Sequence, residues 1–194
     1  MSGLLWPPPC VNYVHEGTTN SRDGQSNEGH KKMDLCKANT IKTEFEKLTG
    51  INVLMSVKSQ GGKHNPSPLP DGQCGVYVFF NDACCFKVGK AGGKSKARWN
   101  SHHYNLDEKT PSTLPKSLMK HKDQLKEQYP DEKHSEIDAL SKENIQEWIK
   151  NNMSRIEFLI QDSSHQDCGN NFSLGLLEAL AQFHLRPIFE GKNA

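Results

Sequence analysis

Two short apolar runs, Gly75 to Phe80 and Cys85 to Val88, are rich in β-branched and aromatic residues, with the turn pair Asn81-Asp82 between them. Such a pattern predicts a β-hairpin, because Asn and Asp tolerate the backbone angles of a tight turn. Arg155 to Ile160 predicts a third strand, and Val53 to Val57 a shorter one. Helices are predicted over Thr40 to Leu48, capped by Asn39 or Thr40 and stopped at Gly50, and over Lys94 to Tyr104. Further helices are predicted over Leu114 to Gln128, ended by Pro130, over Ser141 to Asn151, and from Ser173 to Arg186-Pro187. This order predicts an α+β fold (α/β layered): a small three-stranded, mainly antiparallel sheet flanked by helices, with a helical N-terminal extension.

The chain divides at Gln60 to Gln73, a Gly- and Pro-rich loop. Residues 1–35 read as a weakly ordered tail, since Ser21 to Lys32 is polar and lacks apolar periodicity. Trp6-Pro7-Pro8-Pro9 belongs to that tail, with packing or binding as its alternative role. Residues 36–73 form the helix/strand extension and loop, and 74–194 the main domain.

A chain of 194 residues suffices for one core. Its net charge of +1 excludes a uniformly basic nucleic-acid binder, so phosphate-binding charge must be local. Lys87, Lys90, Lys94, Lys96 and Arg98 follow one another with no intervening acid, and Lys116, Lys120, Lys122 and Lys126 enclose only Asp123. The second cluster is equally well a solvated helix face. The six cysteines form no Cys-x-x-Cys pair, which argues against zinc and for reduced thiols in the cytoplasm. Of Cys84 and Cys85, strand alternation sends one to the core and the other toward the surface. No apolar run reaches membrane length, and no signal peptide is evident.

Tyr77 and Lys87 project from neighbouring strands and can share a face. A Tyr phenol has an ordinary pKa near 10. A nearby Lys or metal would lower it, so Tyr77 could take a proton from attacking water. Taken alone, Tyr77 is an ordinary half-buried strand tyrosine. Arg98 and His102 are four apart and so share a helix face, with His103 a quarter turn away. Arg98 could clamp a phosphate bidentately and His102 could shuttle a proton; the plain alternative is an exposed helix face. Glu178 sits within Gly175-Leu176-Leu177-Glu178-Ala179-Leu180, where an acid must be paired or bind a cation. One carboxylate can hold a water-rich Mg²⁺. Lys90, Gly92, Gly93, Lys94 and Lys96 form a basic turn that can approach a DNA phosphate closely, and Lys120 adds a cation from the second cluster.

In order and spacing, Gly75-Val76-Tyr77, Lys87-Val88-Gly89, Arg98, His102 and Glu178 resemble the GIY-YIG nuclease superfamily, over about residues 74 to 193. The family's second triplet usually begins with Tyr. Lys87 stands there, which resembles the type II restriction endonuclease branch. The spacing from Glu178 to Pro187 is similar to that of the family's repair nucleases, whose pattern ends Pro-x-x-Asn. Here Glu190 holds the Asn position and Asn193 lies three residues further on. The resemblance implies a GIY-YIG-like nuclease domain over 74–194 that hydrolyses DNA phosphodiesters. It implies Tyr77 as base, Lys87, Arg98 and His102 as charge stabilisers, and Glu178 as ligand of one Mg²⁺ or Mn²⁺. It also implies double-stranded DNA as partner and a homodimer, because symmetric sites suit two-fold proteins. A catalytically inactive nucleic-acid-binding module of the same fold is the alternative.

Gly89 to Ser95 offers a competing pattern. It follows a strand, opens a helix and spells Gly-x-x-x-Gly-Lys-Ser, one residue short of a phosphate-binding P-loop, with Asp162 as a later acidic strand end. A P-loop-like nucleotide binder is the third reading.

Overall fold

The structure is a computed structural model that describes residues 28–61, 64–82, 84–106, 113–162 and 172–190. The chain before residue 28, Cys10, Cys168 and Asn193 lie outside the described residues. In chain order the elements are α1 (Glu28–Thr49), β1 (Leu54–Lys58), β2 (Gln73–Phe80), β3 (Cys85–Ala91), α2 (Lys96–Asn100), α3 (Leu114–Lys120) and α4 (Lys122–Lys126). They continue with α5 (His134–Asp138), α6 (Ile145–Asn152), β4 (Ser154–Gln161) and α7 (Phe172–Leu185). No described helix is long and apolar enough to cross a membrane.

The strands form one antiparallel sheet of four, not three, in the order β1-β4-β2-β3. The extra strand is the short Val53–Val57 run, shifted by one residue. It pairs with β4 from Leu54↔Leu159 to Lys58↔Arg155, so its backbone groups bond to β4. The segment read as an extension is therefore built into the sheet. α1 begins at Glu28, inside the expected tail, and ends at Gly50, whose φ of +70° is the left-handed conformation of a helix C-terminus.

Side-chain alternation splits the sheet into two faces. Val76, Val78, Phe80, Val88, Ile156, Phe158 and Ile160 pack against Ile41 and Phe45 of α1 and Leu174, Leu177 and Ala181 of α7. Tyr77, Phe79 and Phe86 belong to the second core, with Trp99, Tyr104, Leu118, Leu125, Ile137, Ile145 and Ile149. β2 is thus covered on both sides, which explains its near-continuous apolar run.

Several helices are shorter than expected. α2 stops at Asn100, two residues before His102. The predicted Leu114–Gln128 helix breaks at His121, where φ −117° and ψ 48° leave the helical region. α7 closes at Arg186, held at φ 47° before Pro187. Cys85 is buried, and Cys84 lies nearer the surface.

Arg155 and Glu157 on β4 face the second core and are completely buried. Arg155 Nε lies 3.1 Å from Glu157 Oε1. The guanidinium also donates to the Trp99 carbonyl at 3.0 Å and to the Tyr104 hydroxyl at 3.4 Å. It stacks over the rings of Trp99, Tyr77 and Phe79, 4.8, 5.2 and 5.5 Å from their centroids. Glu157 accepts from the Ser67 N–H at 3.2 Å and the Ser56 hydroxyl at 3.3 Å. Removing either partner strands a charge in a dry core. Glu157→Ala should therefore lower the unfolding free energy by about 3–5 kcal/mol in urea titrations. Breaking the exposed Lys96–Asp71 pair with Asp71→Ala should leave the midpoint in place.

Candidate active site

Each signature glycine makes room for an aromatic ring. Tyr77 pairs with Gly89 across the hairpin, and its ring lies over that residue: a Cβ on Gly89 would collide with the hydroxyl and stand 2.5 Å from Cζ. A Cβ on Gly75 would stand 2.8 Å from the Trp99 ring. Trp99 is buried on the sheet, its indole N–H donating to the Ser67 carbonyl at 2.8 Å. That anchor fixes α2. Arg98, the preceding residue, is exposed, and its guanidinium acts on the Tyr77 hydroxyl.

Tyr77 is buried, and no hydrogen bond of good geometry reaches its hydroxyl among the described residues. Burial pushes its pKa up to about 12. Arg98 and Arg155 pull it down and the Glu178 carboxylate adds to the rise. The expected lowering does not occur in the protein by itself, because desolvation outweighs the two cations. Tyr77 and Arg98 come from β2 and α2 and adjoin at this phenol, while Glu178 of α7 acts on it only as the weakest of the named charges.

The histidine against Tyr77 is His103, whose ring centroid lies 4.0 Å from the tyrosine's at 44°. Burial holds His103 well below the usual imidazole range, reinforced by Arg155, Arg98 and Lys87. His102 lies beyond the end of α2, its N–H bonded to the Ala97 carbonyl at 3.1 Å. Its Nδ1 is buried without a hydrogen-bond partner among the described residues. Arg98 and His102 thus do not share one helix face, because the helix has ended between them.

Lys87 shares the Tyr77 face of the hairpin, opposite Phe79. Its ammonium pairs with Glu190 at 3.0 Å and donates to the Phe189 carbonyl at 3.4 Å. The N–H groups of Ile188 and Phe189 bond to the carbonyls of Cys85 and Phe86, which brings Glu190 beside β3. Lys90 points to the opposite face and pairs with Glu178 at 2.8 Å. No group of three or more His, Cys, Asp or Glu residues able to hold a metal occurs among the described residues. Glu178 alone supplies a hard oxygen donor, which suits a Mg²⁺ ion completed by water and phosphate. Lys90, with 43% of its side chain exposed, is free enough to move aside.

At the Gly92-Gly93 turn, the Gly93 N–H donates to Asp162 at 3.2 Å, and Ser95 N–H closes the turn onto Gly92. A phosphate would have to displace that carboxylate, and the strands around the turn are antiparallel, unlike the parallel sheet behind a P-loop. Lys94 is exposed, Lys96 is held by Asp71 at 2.5 Å, and Lys120 ends α3 in solvent. Lys122 and Lys126 are tied to the α5 region, Lys122 through the Asp138 carbonyl and Lys126 through the Asp138 carboxylate.

His64, Arg155 and Glu157 stand in no motif of the sequence, yet all three are buried in the second core. His64 is buried: Nδ1 faces the Met153 carbonyl and Nε2 the Tyr104 hydroxyl at 3.0 Å. A carbonyl only accepts, so Nδ1 carries the proton and Nε2 accepts from Tyr104. Burial lowers the His64 pKa to about 4.

Comparison of the chain with protein-family models, with curated proteins and with solved structures finds no match. The site therefore rests on its own geometry.

His64 and His103 are neutral in the fold. Their folded pKa values lie below the unfolded value near 6.5, so the stability they contribute is full above about pH 6.5 and is lost as pH falls toward about 4. For His64 the whole window is worth on the order of 3 kcal/mol. Urea midpoints should fall between about pH 7 and about pH 5, and His64→Gln should flatten that fall. A flat wild-type profile would contradict neutral burial.

Proposed function

We propose that this chain is a metal-dependent DNA endonuclease of the GIY-YIG type, closest in character to restriction enzymes, acting on double-stranded DNA as a homodimer in the cytoplasm. The observation that supports this reading is the exposed Arg98 guanidinium acting from α2 on the Tyr77 hydroxyl, with the Glu178 carboxylate of α7 a weaker charge felt there. A hairpin tyrosine, a phosphate-binding guanidinium and a lone carboxylate are the groups that phosphodiester hydrolysis needs.

Arg98, exposed beside Tyr77, clamps the phosphate and stabilises the charge that builds in the pentacovalent transition state. Tyr77 takes the place of the base that activates water. Burial is the main cause of the raised pKa, Arg98 lowers it and Glu178 raises it slightly, so cancelling the Glu178 charge relieves the smallest of the effects that oppose the phenolate. A Mg²⁺ or Mn²⁺ ion on Glu178 would cancel that charge and polarise the phosphoryl oxygens. Lys87 contributes positive charge once a phosphate competes with Glu190, and His102 remains the proton shuttle, with His103 packed on the base. Lys90, Gly92, Gly93, Lys94, Lys96 and Lys120 supply the DNA-facing surface.

One observation favours the inactive binding module. Both Lys87 and Glu178 are already neutralised, by Glu190 and Lys90, and Tyr77 is closed off from solvent.

Supercoiled plasmid incubated with Mg²⁺ distinguishes the two. The nuclease reading predicts nicked or linear product, and Glu178→Gln should remove cleavage while duplex binding in a gel-shift assay persists. Full cleavage by Glu178→Gln would defeat the metal-ligand role. Binding by the wild type with no cleavage in Mg²⁺ or Mn²⁺ would establish the module.

A further inference from the structure

α7 carries apolar residues on two opposite sides. Leu174, Leu177, Ala181 and Leu185 are buried in the first core. Phe172, Leu176 and Phe183 remain 67%, 37% and 71% exposed, and Ala179 between them is exposed as well. Steps of four, three and four residues align these side chains in one row along the outside of the helix. Leu48, in the last turn of α1, is also 67% exposed. It lies one turn beyond Glu44, which pairs with His184 at 2.7 Å, next to Phe183. Single exposed apolar residues need no explanation, but here two phenylalanines, a leucine and an alanine stand in one row on the outside of the helix.

The row is about 16 Å long and one helix wide, on the order of 200 Å². A stable dimer buries about 800 Å² per partner, so a second copy held by this row alone would not persist. A segment tethered to the same chain needs far less area, because its effective concentration is high. The chain outside the described residues contains such a segment. Leu4, Leu5, Trp6, Val11, Tyr13 and Val14 crowd into the first fourteen residues, and His15 to Asn27 then contains no hydrophobic residue. A linker of that length spans up to about 43 Å, more than the roughly 33 Å length of α1, against which α7 packs. Pro7, Pro8 and Pro9 restrict the segment beforehand and so reduce the entropy lost on docking.

We propose that Leu4–Val14 docks in cis on the outer row of α7, with Trp6 against Phe172, Leu176 and Phe183. The assignment is independent of the nuclease reading. It is tested in the full chain with p-benzoylphenylalanine in place of Trp6, irradiated in dilute solution and mapped by mass spectrometry. The expected result is a crosslink within one chain to residues 172–183, at a yield independent of protein concentration. Phe172→Ser combined with Phe183→Ser should lower that yield by about tenfold or more while circular dichroism is unchanged, since both rings are exposed. Crosslinks elsewhere in the chain, crosslinks only between chains, or an unaltered yield in the double variant would overturn the proposal.

Discussion

The buried Arg155 guanidinium is the interaction on which the second core depends. It joins β4 to β2 by stacking on Tyr77 and Phe79, to α2 through the Trp99 ring and carbonyl, and to the following turn through Tyr104. Glu157 balances its charge and reaches outward to Ser56 on β1 and to Ser67. Tyr104 in turn meets His64, which meets Met153 at the start of β4. The charge withdrawn from water is met by Glu157, by two oxygen acceptors on Nη1 and by three ring faces, while Nη2 has no hydrogen-bond partner among the described residues, so these elements cannot move independently without exposing it.

The candidate site is built on that platform. Gly89 and Gly75 leave the space in which Tyr77 and Trp99 lie against the sheet, and Arg155 covers both rings from the β4 side. Trp99 then places Arg98 beside the phenol. Burial makes Tyr77 a reluctant acid, and the surrounding charges decide how far that reluctance is relieved. The pairs Lys90–Glu178 and Lys87–Glu190 balance the charges on either side of the hairpin.

The hairpin, β4 and the inner face of α7 were legible because each follows a simple period: Val76, Val78 and Phe80 alternate, and Leu174, Leu177 and Ala181 recur at helical spacing. Alternation along β4 marks Ile156, Phe158 and Ile160 as one apolar face and is silent on the other; Arg155 and Glu157 are nevertheless buried, because helices α3 to α6 cover that side too. The clue lay in β2, where Tyr77 and Phe79 alternate with equally apolar neighbours and so require cover on both faces. The strand next to it must share that cover. The Val53–Val57 strand was legible, but its membership of the sheet was not, because its pairing with β4 is a long-range contact with no local signal. His102 was placed by helical spacing that ends at Asn100, so His103 lies against Tyr77 instead.

The central claim is that Arg98 clamps a scissile phosphate beside Tyr77. Arg98→Lys keeps the charge and loses the planar fork. Single-turnover cleavage of duplex DNA at saturating enzyme and Mg²⁺ isolates the chemical step from binding. The account predicts a rate loss on the order of a hundredfold with only modest loss of DNA affinity. Cleavage by Arg98→Lys at the wild-type single-turnover rate would contradict it.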